Sequence, residues 1–335
     1  MASNDCRLPI RTTSGIATLK PRYDIETRMT IDIDAKFLGA MVGSALGDAT
    51  GYLAYKYPTR DGLLDKINNV DHLTYTADTV MAIALAEVLI NNGDIDTRKL
   101  GDNFLRHFAN KPWQRQGAEP PEIYRIVERE GIDYIFAARR LFDGEGSYGN
   151  GAAMRITPLG LYYYNNDDIY DKARQSAEVT HTHAVGIDGA AVMARAIART
   201  VTLKPQRPFS PQAFIDMLMD YSRTEEIRNR LALIPDLLDQ EVPPEMAVKK
   251  LGNGVAAYES VPMALFCFLR YPHTYLESVL CAITHGGQRD TMGVMAGALS
   301  GAYLGINAIS VDWRTKLEDA RHLEALAREL AALAR

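Results

Sequence analysis

Glycine recurs at every fourth position in two separate stretches, and these rows constrain the fold more than any other feature. The rows are Gly39, Gly43, Gly47 and Gly51, and then Gly293, Gly297, Gly301 and Gly305. A glycine inside a helix costs about 0.5–1 kcal/mol relative to alanine, so the rows would only weaken two helices unless they serve packing. Met, Leu, Val and Tyr occupy the positions between them, which disfavours Gly-rich loops. The sequence therefore predicts two helices whose backbones pack closely in a crowded, buried centre.

Apolar residues recur at helical spacing along most of the chain. Asp34 is placed to cap the first helix, because apolar residues follow at that spacing from Phe37 to Leu46. Similar patterns cover residues 77–91, 97–109, 121–141, 169–179, 184–203, 211–221, 244–257, 260–270, 275–283 and 315–333. Alternating patterns typical of strands are hard to find. We predict an all-α protein, with a polar N-terminal arm at residues 1–33 and one compact multi-helix domain at 34–335.

Composition bears on whether the protein binds nucleic acid or a membrane, and on the cellular compartment in which it works. The chain has 335 residues, of which 47% are hydrophobic and 24% charged, and its formal net charge of −5 gives no global reason to expect nucleic-acid binding. Its three cysteines include no CxxC spacing, which favours a reducing compartment over a disulfide framework. The first thirty residues lack the apolar core of a signal peptide, and no uncharged apolar run is long enough to cross a bilayer. These features predict a cytoplasmic protein without a nucleic-acid or membrane partner.

Five polar segments stand beside apolar helical patterns, where the sequence predicts loops that open onto helices. They are GDATGY (47–52), YTADT (75–79), GEGSYGNGAAMR (144–155), THTHAVGIDGA (180–190) and GGQRDT (286–291). A Gly- and Ser-rich helix start presents free backbone N–H groups to an anion such as phosphate, although turns need glycine too. Asp78 and Asp290, each beside threonines, can supply oxygen ligands to Mg²⁺, or Thr76 and Asp290 can simply cap helices. His181 and His183 have no Cys or third His at a spacing that would complete a zinc site.

Taken together, these segments resemble the ADP-ribosylglycohydrolase family, which includes the enzyme that reactivates dinitrogenase reductase. The matching segments are GSALGDATG at 43–51, TADT at 76–79, GSYGNGAAMR at 146–155, THTHAVGIDGA at 180–190 and GGQRDTMGVMAGALSGAYLG at 286–305. LGNGVAAYESVPMALFCFLR at 251–270, together with GSYGNGAAMR, is most similar to the subgroup that removes ADP-ribose from serine. The resemblance implies an all-α domain whose cleft holds ADP-ribose and, usually, two Mg²⁺ ions that position the ribose and an activated water.

The resemblance also implies roles for individual residues. It implies that Asp78 and Asp290 are catalytic, and that His181, His183 and Asn253 lie on segments near the ligand. The residues that match the cradle for the diphosphate and ribose are Gly146, Ser147, Tyr148, Gly149 and Asn150.

Three positions depart from the family pattern in the same direction. Tyr55, Ala77 and Gln288 stand where family members usually carry acids. Two surviving acids and the neighbouring Arg289 leave a formal site charge of about −1, where five acids would give about −5. Two dications need that negative charge to offset their desolvation and mutual repulsion. We therefore predict at most one Mg²⁺, or a metal-free cleft in which Arg289 faces a phosphate or carboxylate. The predicted ligands of a single ion are Thr76, Asp78, Asp290 and Thr291.

Three functions are compatible with this pattern. The first is an ADP-ribosyl hydrolase that acts on ADP-ribose attached to protein side chains, or on a similar glycosidic linkage, through an altered metal site. The second is an inactive module that binds ADP-ribose or an ADP-ribosylated protein. The third is an inhibitor of an ADP-ribosylating toxin that contacts its partner through residues 1–33.

Overall fold

Helices form nearly all of the regular structure in the computed structural model of the protein, which describes residues 32–110 and 119–334 together with Met1. In chain order the α-helices are α1 Ile33–Ala54, α2 Arg60–Asn69, α3 Ala77–Asn92, α4 Thr97–Asn110, α5 Glu119–Glu130, α6 Tyr134–Arg139, α7 Gly151–Met154, α8 Thr157–Tyr162, α9 Ile169–Glu178, α10 Ala184–Thr202, α11 Pro211–Tyr221, α12 Glu225–Leu231, α13 Ile234–Asp239, α14 Pro244–Leu251, α15 Ala257–Arg270, α16 Tyr275–Thr284, α17 Arg289–Leu304, α18 Val311–Lys316 and α19 Ala320–Leu333. Short 3-10 helices lie at Phe142–Gly144 and Ile306–Ala308, and the only β-structure in the described ranges is two isolated bridges. The prediction of an all-α protein is confirmed.

The helices belong to one compact unit, Asp32–Arg335. Residues 2–31, which hold almost all of the predicted N-terminal arm, lie outside the described residues. Across the part of the chain that is described, no helix is both long enough and apolar enough to span a bilayer.

The two glycine rows meet along α1 and α17, which run antiparallel to each other. A Cβ atom at Gly47 would lie 1.9 Å from the carbonyl oxygen of Gly293, and one at Gly39 would lie 2.4 Å from that of Gly301. The same holds in the other direction, since a Cβ at Gly293 would lie 2.2 Å from the Gly47 oxygen. The predicted close approach of two backbones is thus confirmed. It brings the C-terminal end of α1 beside the N-terminal end of α17.

A buried lysine ties α1 to the C-terminal ends of α10 and α17. Lys36 Nζ donates hydrogen bonds to the main-chain carbonyls of Thr200, Leu203, Ala302 and Tyr303 at 2.8–3.1 Å. Carbonyls at a helix C-terminus lack intrahelical partners and carry the negative end of the helix dipole. The ammonium group supplies the missing hydrogen bonds and a positive charge that interacts favourably with the dipole. The contact fixes three central helices at the end of the molecule away from the N-terminus of α17.

The start of α1 differs from the prediction. Asp32, rather than Asp34, caps the helix, because its carboxylate accepts a hydrogen bond from Ala35 N at 2.9 Å. The helix then runs without a break to Ala54, so the GDATGY segment lies inside α1 and the predicted loop there is wrong. The glycine row explains the continuity, since the packing against α17 extends through these residues.

Residues with positive φ interrupt three patterns that the sequence predicts as continuous helices. Gly131, with φ of 66°, separates α5 from α6; Gly252, with φ of 82°, ends α14; and Asp319, with φ of 50°, precedes α19. A left-handed residue cannot continue a right-handed helix. The patterns concerned are 121–141, 244–257 and 315–333. The short helices α2, α8, α12 and α13 were not predicted, because a few turns give too little apolar periodicity.

Candidate active site

A cleft of about 330 Å³ opens where α1 ends and where α3, α7 and α17 begin. The residues that line it are Tyr52, Tyr55, Asp78, Met81, Pro120, Gly149, Asn150, Gly151, Met154, Arg155, His181, Val255, Gln288, Asp290 and Thr291. They come from segments far apart in sequence, and they include eight of the positions singled out above. Those eight are Tyr55, Asp78, Gly149, Asn150, His181, Gln288, Asp290 and Thr291.

Two carboxylates from different helices face this cleft. Asp78 lies in the first turn of α3, and Asp290 lies in the first turn of α17. The Thr291 hydroxyl donates a hydrogen bond to Asp78 Oδ2 at 2.7 Å, and the Tyr55 hydroxyl donates one to Asp290 Oδ1 at 3.0 Å. Thr76 caps α3, because its Oγ1 accepts from Asp78 N at 3.3 Å. These bonds hold both acids in fixed positions at the starts of their helices.

The three positions that depart from the family pattern surround these acids. Ala77 is buried as the first residue of α3, and Gln288 occupies the N-cap position of α17. Tyr55 follows the last residue of α1 and reaches Asp290 through its hydroxyl. Because Gln288 stands at the cap, Asp290 does not cap α17, and its Oδ1 instead accepts from Thr291 N within the first turn at 3.0 Å.

Asp48, to which its motif alone assigns no role, is a third carboxylate beside the cleft. It is fully buried on α1, and its Oδ2 accepts hydrogen bonds from Thr76 N at 3.0 Å, Thr79 N at 3.1 Å and Thr79 Oγ1 at 2.6 Å. Its Oδ1 is also buried, and no described group donates a hydrogen bond to it. The sequence did carry a signal, since an acid within the largely apolar stretch from Phe37 to Ala54 needs polar partners.

Burial and like charge raise the pKa values of these acids. Burial raises the pKa of Asp48 to about 7 and the pKa of Asp78 well above its ordinary value, and the negative charge of Asp290 acts in the same direction on both. Arg289 does not offset this charge within the cleft, because it is not among the lining residues and its guanidinium donates to the carbonyl of Ile283. A cation or a proton therefore stabilises this group of carboxylates.

We expect Asp48→Ala to lower the free energy of unfolding by about 3 kcal/mol or more, because it leaves three buried donors on Thr76 and Thr79 without an acceptor. Urea denaturation measures this loss. Asp65→Ala is the matched control, since Asp65 is exposed and its side chain accepts from Asn69 alone among the described residues. An equal loss in the two variants would contradict the role assigned to Asp48.

The Gly-rich loop before α7 forms another wall of the cleft, which Gly149 and Asn150 line. Main-chain hydrogen bonds pair this loop with the start of α15. Asn150 N donates to the Val255 carbonyl at 2.8 Å, and Ala257 N donates to the Tyr148 carbonyl at 3.1 Å. The loop therefore has a fixed shape against which a ligand can bind.

The rest of the predicted cradle supports the loop from behind or stands beside the cleft. Gly146 has a φ of 73°, which favours glycine, and Ser147 Oγ accepts a hydrogen bond from Gly149 N at 3.1 Å. Tyr148 is exposed and contacts the ring of His183 edge to face, with centroids 5.8 Å apart. His183 also caps α10. None of Gly146, Ser147, Tyr148 and His183 lines the cleft itself.

His181 lines the cleft as a neutral imidazole. Burial, together with the positive charge of Arg155, lowers its pKa to about 3. Its Nδ1 shares a hydrogen bond with the Thr180 hydroxyl at 2.7 Å, and its ring lies so close to Gly151 that a Cβ there would be 2.8 Å from Cε1. Arg155 is fully buried and donates to the Ser176 carbonyl at 2.9 Å. His181 can therefore offer a ligand one hydrogen bond without adding charge.

Asn253 shapes the GGQRDT loop and does not line the cleft. Its Nδ2 donates to the His285 carbonyl at 2.9 Å, and its own carbonyl accepts from Gln288 N at 3.0 Å. Gly287, with φ of 64°, leaves no room for a side chain, because a Cβ there would lie 1.9 Å from the Asn253 oxygen. Asn253 thereby positions the residues that lead into α17.

The donors on the acidic wall suit one hard cation. Asp78, Asp290 and Thr291 line the cleft, Thr76 bonds to Asp78 N, and Asp48 Oδ1 is a further buried acceptor without a partner in the described ranges. All of these are oxygen donors, which Mg²⁺ prefers. Within residues 32–110 and 119–334, no group of three or more His, Cys, Asp or Glu side chains is arranged to hold a metal ion. The residues present can therefore offer a single Mg²⁺ a mixed set of carboxylate and hydroxyl oxygens.

The helical fold and this cleft together define a glycohydrolase type of protein, with acids at two helix starts and a Gly-rich loop for the ligand. The family model described as ADP-ribosylglycohydrolase matches residues 29–335. The chain belongs to the ADP-ribosylglycohydrolase family, whose name denotes hydrolases of glycosidic bonds to ADP-ribose. The predicted family is confirmed.

Individual relatives cover most of the chain. It is 31% identical over 329 residues to ADP-ribosylhydrolase ARH3 of Xenopus tropicalis, which covers 87% of this chain and 93% of that protein. It is 31% identical over 340 residues to ADP-ribosylhydrolase ARH3 of Homo sapiens, with coverage of 88% and 93%. A solved structure described as an ADP-ribosylglycohydrolase-related protein complex superposes with a TM-score of 0.69 at 25% identity, covering 90% of this chain and 99% of its own.

Proposed function

We propose that the protein hydrolyses the glycosidic bond between ADP-ribose and a protein side chain, or a similar linkage, with at most one divalent cation in its cleft. The observation that carries the proposal is that Asp78 and Asp290 face a single cleft whose other wall includes Gly149 and Asn150. Carboxylates beside a glycosidic bond supply acid–base catalysis. The relatives named ADP-ribosylhydrolase ARH3 support the substrate class.

The residues of the cleft divide the work between binding and proton transfer. Gly149, Asn150 and the neutral His181 contact the ligand on one side. On the other side, a carboxylate of Asp78 or Asp290 accepts a proton from the water that attacks the anomeric carbon. The new bond joins that water oxygen to the anomeric carbon, the bond to the side-chain atom breaks, and the leaving atom takes up a proton from the other of these two acids, in its protonated form.

A single Mg²⁺ would be held by Thr76, Asp78, Asp290 and Thr291. When bound, it supplies positive charge that orients hydroxyl groups and lowers the pKa of a water. Tyr55 stands at a position where family members usually carry an acid. Its hydroxyl donates a hydrogen bond to Asp290 Oδ1 at 3.0 Å and so keeps that carboxylate in place.

We expect Asp78→Ala and Asp290→Ala each to reduce the release of ADP-ribose by about a hundredfold or more, because each removes a carboxylate from the reacting bond. The measurement is ADP-ribose release from serine- and arginine-modified peptides, with and without Mg²⁺. Glu324→Gln on α19 is the control, since Glu324 pairs with Arg328 of the same helix and does not line the cleft. Equal rates in the parent and both alanine variants would contradict the proposal, as would an absence of turnover under all conditions.

A second candidate is a module that binds ADP-ribose without hydrolysing it, and the neutral residues Tyr55, Ala77 and Gln288 favour it. Calorimetry with ADP-ribose separates the candidates, because binding without turnover supports the module, and no binding at millimolar ligand contradicts both. Toxin inhibition through residues 1–33 stays a prediction, because residues 2–31 lie outside the described ranges. Partner binding that is unchanged after deletion of that arm would contradict it. The cytoplasmic location likewise stays a prediction.

A further inference from the structure

A basic groove of about 650 Å³ lies at the far end of α10 from the cleft. The helix has 19 residues, so its ends are about 28 Å apart. Its N-terminal end adjoins His183, and its C-terminal end leads into the groove. The described lining of the groove contains no Asp or Glu. Four cationic side chains line it, namely Arg195, Arg199, Lys204 and Arg207.

Within the described residues, no carboxylate pairs with the arginines of this groove. None of the ion pairs there involves Arg195, Arg199 or Arg207. Arg195 Nε is buried and has no hydrogen-bond partner in the described ranges, and Arg199 donates only to the neutral hydroxyl of Thr202, at 3.1 Å. The guanidinium of Arg195 also lies over the ring of Tyr221, 5.5 Å from its centroid, and none of these contacts supplies a negative charge.

Apolar residues complete the groove beneath these cations. Phe209, Phe214 and Met217 line it, and the ring of Phe209 packs on that of Phe214 with centroids 6.0 Å apart. An apolar floor lowers the local dielectric constant, which strengthens the attraction between the cations and an anion. This concentration of positive charge occurs on a chain whose net charge is −5, so it is a local feature and does not reflect composition.

We propose that this groove binds a soluble ligand with two or more phosphate groups, at a site separate from the ADP-ribose cleft. Three of the four cations are arginines, whose planar guanidinium groups donate two parallel hydrogen bonds to phosphate oxygens. Arg195 and Arg199 are one helical turn, about 6 Å, apart on α10, and Arg207 follows the helix. The arginines therefore start from separate backbone positions, which suits a ligand with more than one phosphate group. The proposal does not depend on the proposed hydrolase activity.

The test is calorimetric titration of the full chain with inorganic tripolyphosphate at fixed ionic strength. We expect the double variant Arg199→Gln, Arg207→Gln to bind at least about tenfold more weakly than the parent, because it loses two charge-assisted contacts. The matched control is Arg321→Gln, Arg328→Gln, which removes the same charge from exposed positions on α19 and should leave the affinity unchanged.

Several outcomes would overturn the proposal. They are equal affinity in the parent and the groove variant, and an equal loss in the α19 control. Binding of a hexaglutamate peptide as tightly as tripolyphosphate would also overturn it, in favour of an acidic protein partner. The titration does not depend on the release of ADP-ribose, so a failure of the hydrolase assay would not affect its result. The two proposals can therefore be contradicted separately.

Discussion

Gly47→Ala is expected to lower the free energy of unfolding by about 3 kcal/mol, although alanine is the better helix former. A Cβ atom at this position would lie 1.9 Å from the carbonyl oxygen of Gly293 and 2.4 Å from its carbonyl carbon. Both are main-chain atoms, so no side-chain rotation relieves the clash, and α1 and α17 must move apart. Urea denaturation followed by circular dichroism measures the loss.

Gly62→Ala is the matched control, because Gly62 lies in the first turn of α2 and a Cβ there meets only the Thr59 hydroxyl, at 2.9 Å. We expect this variant to change the free energy of unfolding by no more than about 1 kcal/mol, because the gain in helix propensity is offset by a small shift of the Thr59 side chain that caps α2. The difference in size between the two changes separates backbone packing from propensity. Equal effects at both positions would contradict the packing explanation.

The glycine rows show which parts of the fold were predictable. Their spacing depends on local geometry, since a residue every fourth position lies on one helix face, and only backbone contact makes a row of glycines favourable. The same holds for Thr76, whose capping role follows from its position before an apolar run. Asp78 and Asp290 converge as expected because they begin α3 and α17, the second of which packs on α1.

Contacts between distant segments could not be predicted in the same way. Asp48 takes its partners from Thr76 and Thr79, which follow it in sequence by 28 and 31 residues. The sequence predicts that Arg289 faces a phosphate or carboxylate of the ligand, whereas its guanidinium donates a hydrogen bond to the Ile283 carbonyl near the end of α16. Asn253 supports a loop and leaves the cleft lining to its neighbours. A motif identifies the backbone segment, whereas the direction of each side chain depends on the packing around it.

These placements alter the electrostatic argument about catalysis. Arg289 does not enter the cleft, and Asp48 adds a third acid behind it, so the cleft holds more ionisable acid than a count of two acids and one arginine suggests, while the raised pKa values of Asp48 and Asp78 let a proton take the place of a cation. The departures at Tyr55, Ala77 and Gln288 nevertheless remain next to the acids. Under the proposed function, the three acids attract one cation, and Tyr55, Ala77 and Gln288 supply no charge that would bind a second.

Restoring acids at these three positions is expected to raise the affinity for Mg²⁺ by about a hundredfold or more, since each carboxylate placed near a dication contributes a favourable Coulomb energy of at least about 1 kcal/mol. The variant is Tyr55→Glu, Ala77→Asp, Gln288→Asp. Without metal, the new carboxylates repel Asp78 and Asp290, so we expect its Tm to lie below that of the parent in EDTA and to recover in millimolar Mg²⁺. Thermal unfolding with and without the ion, and calorimetry with Mg²⁺, give both quantities.

A neutral variant distinguishes charge from shape in this experiment. Tyr55→Gln, Ala77→Asn keeps side chains of nearly the same size at two positions and leaves Gln288 as it is. We expect its Tm to respond to Mg²⁺ no more than that of the parent, because neutral amides add no attraction for the ion. An equal Mg²⁺ response in the charged and neutral variants would show that the missing acids do not limit metal binding. A gain in ADP-ribose release confined to the acid-restored variant would tie the low charge of the natural cleft directly to its catalytic rate.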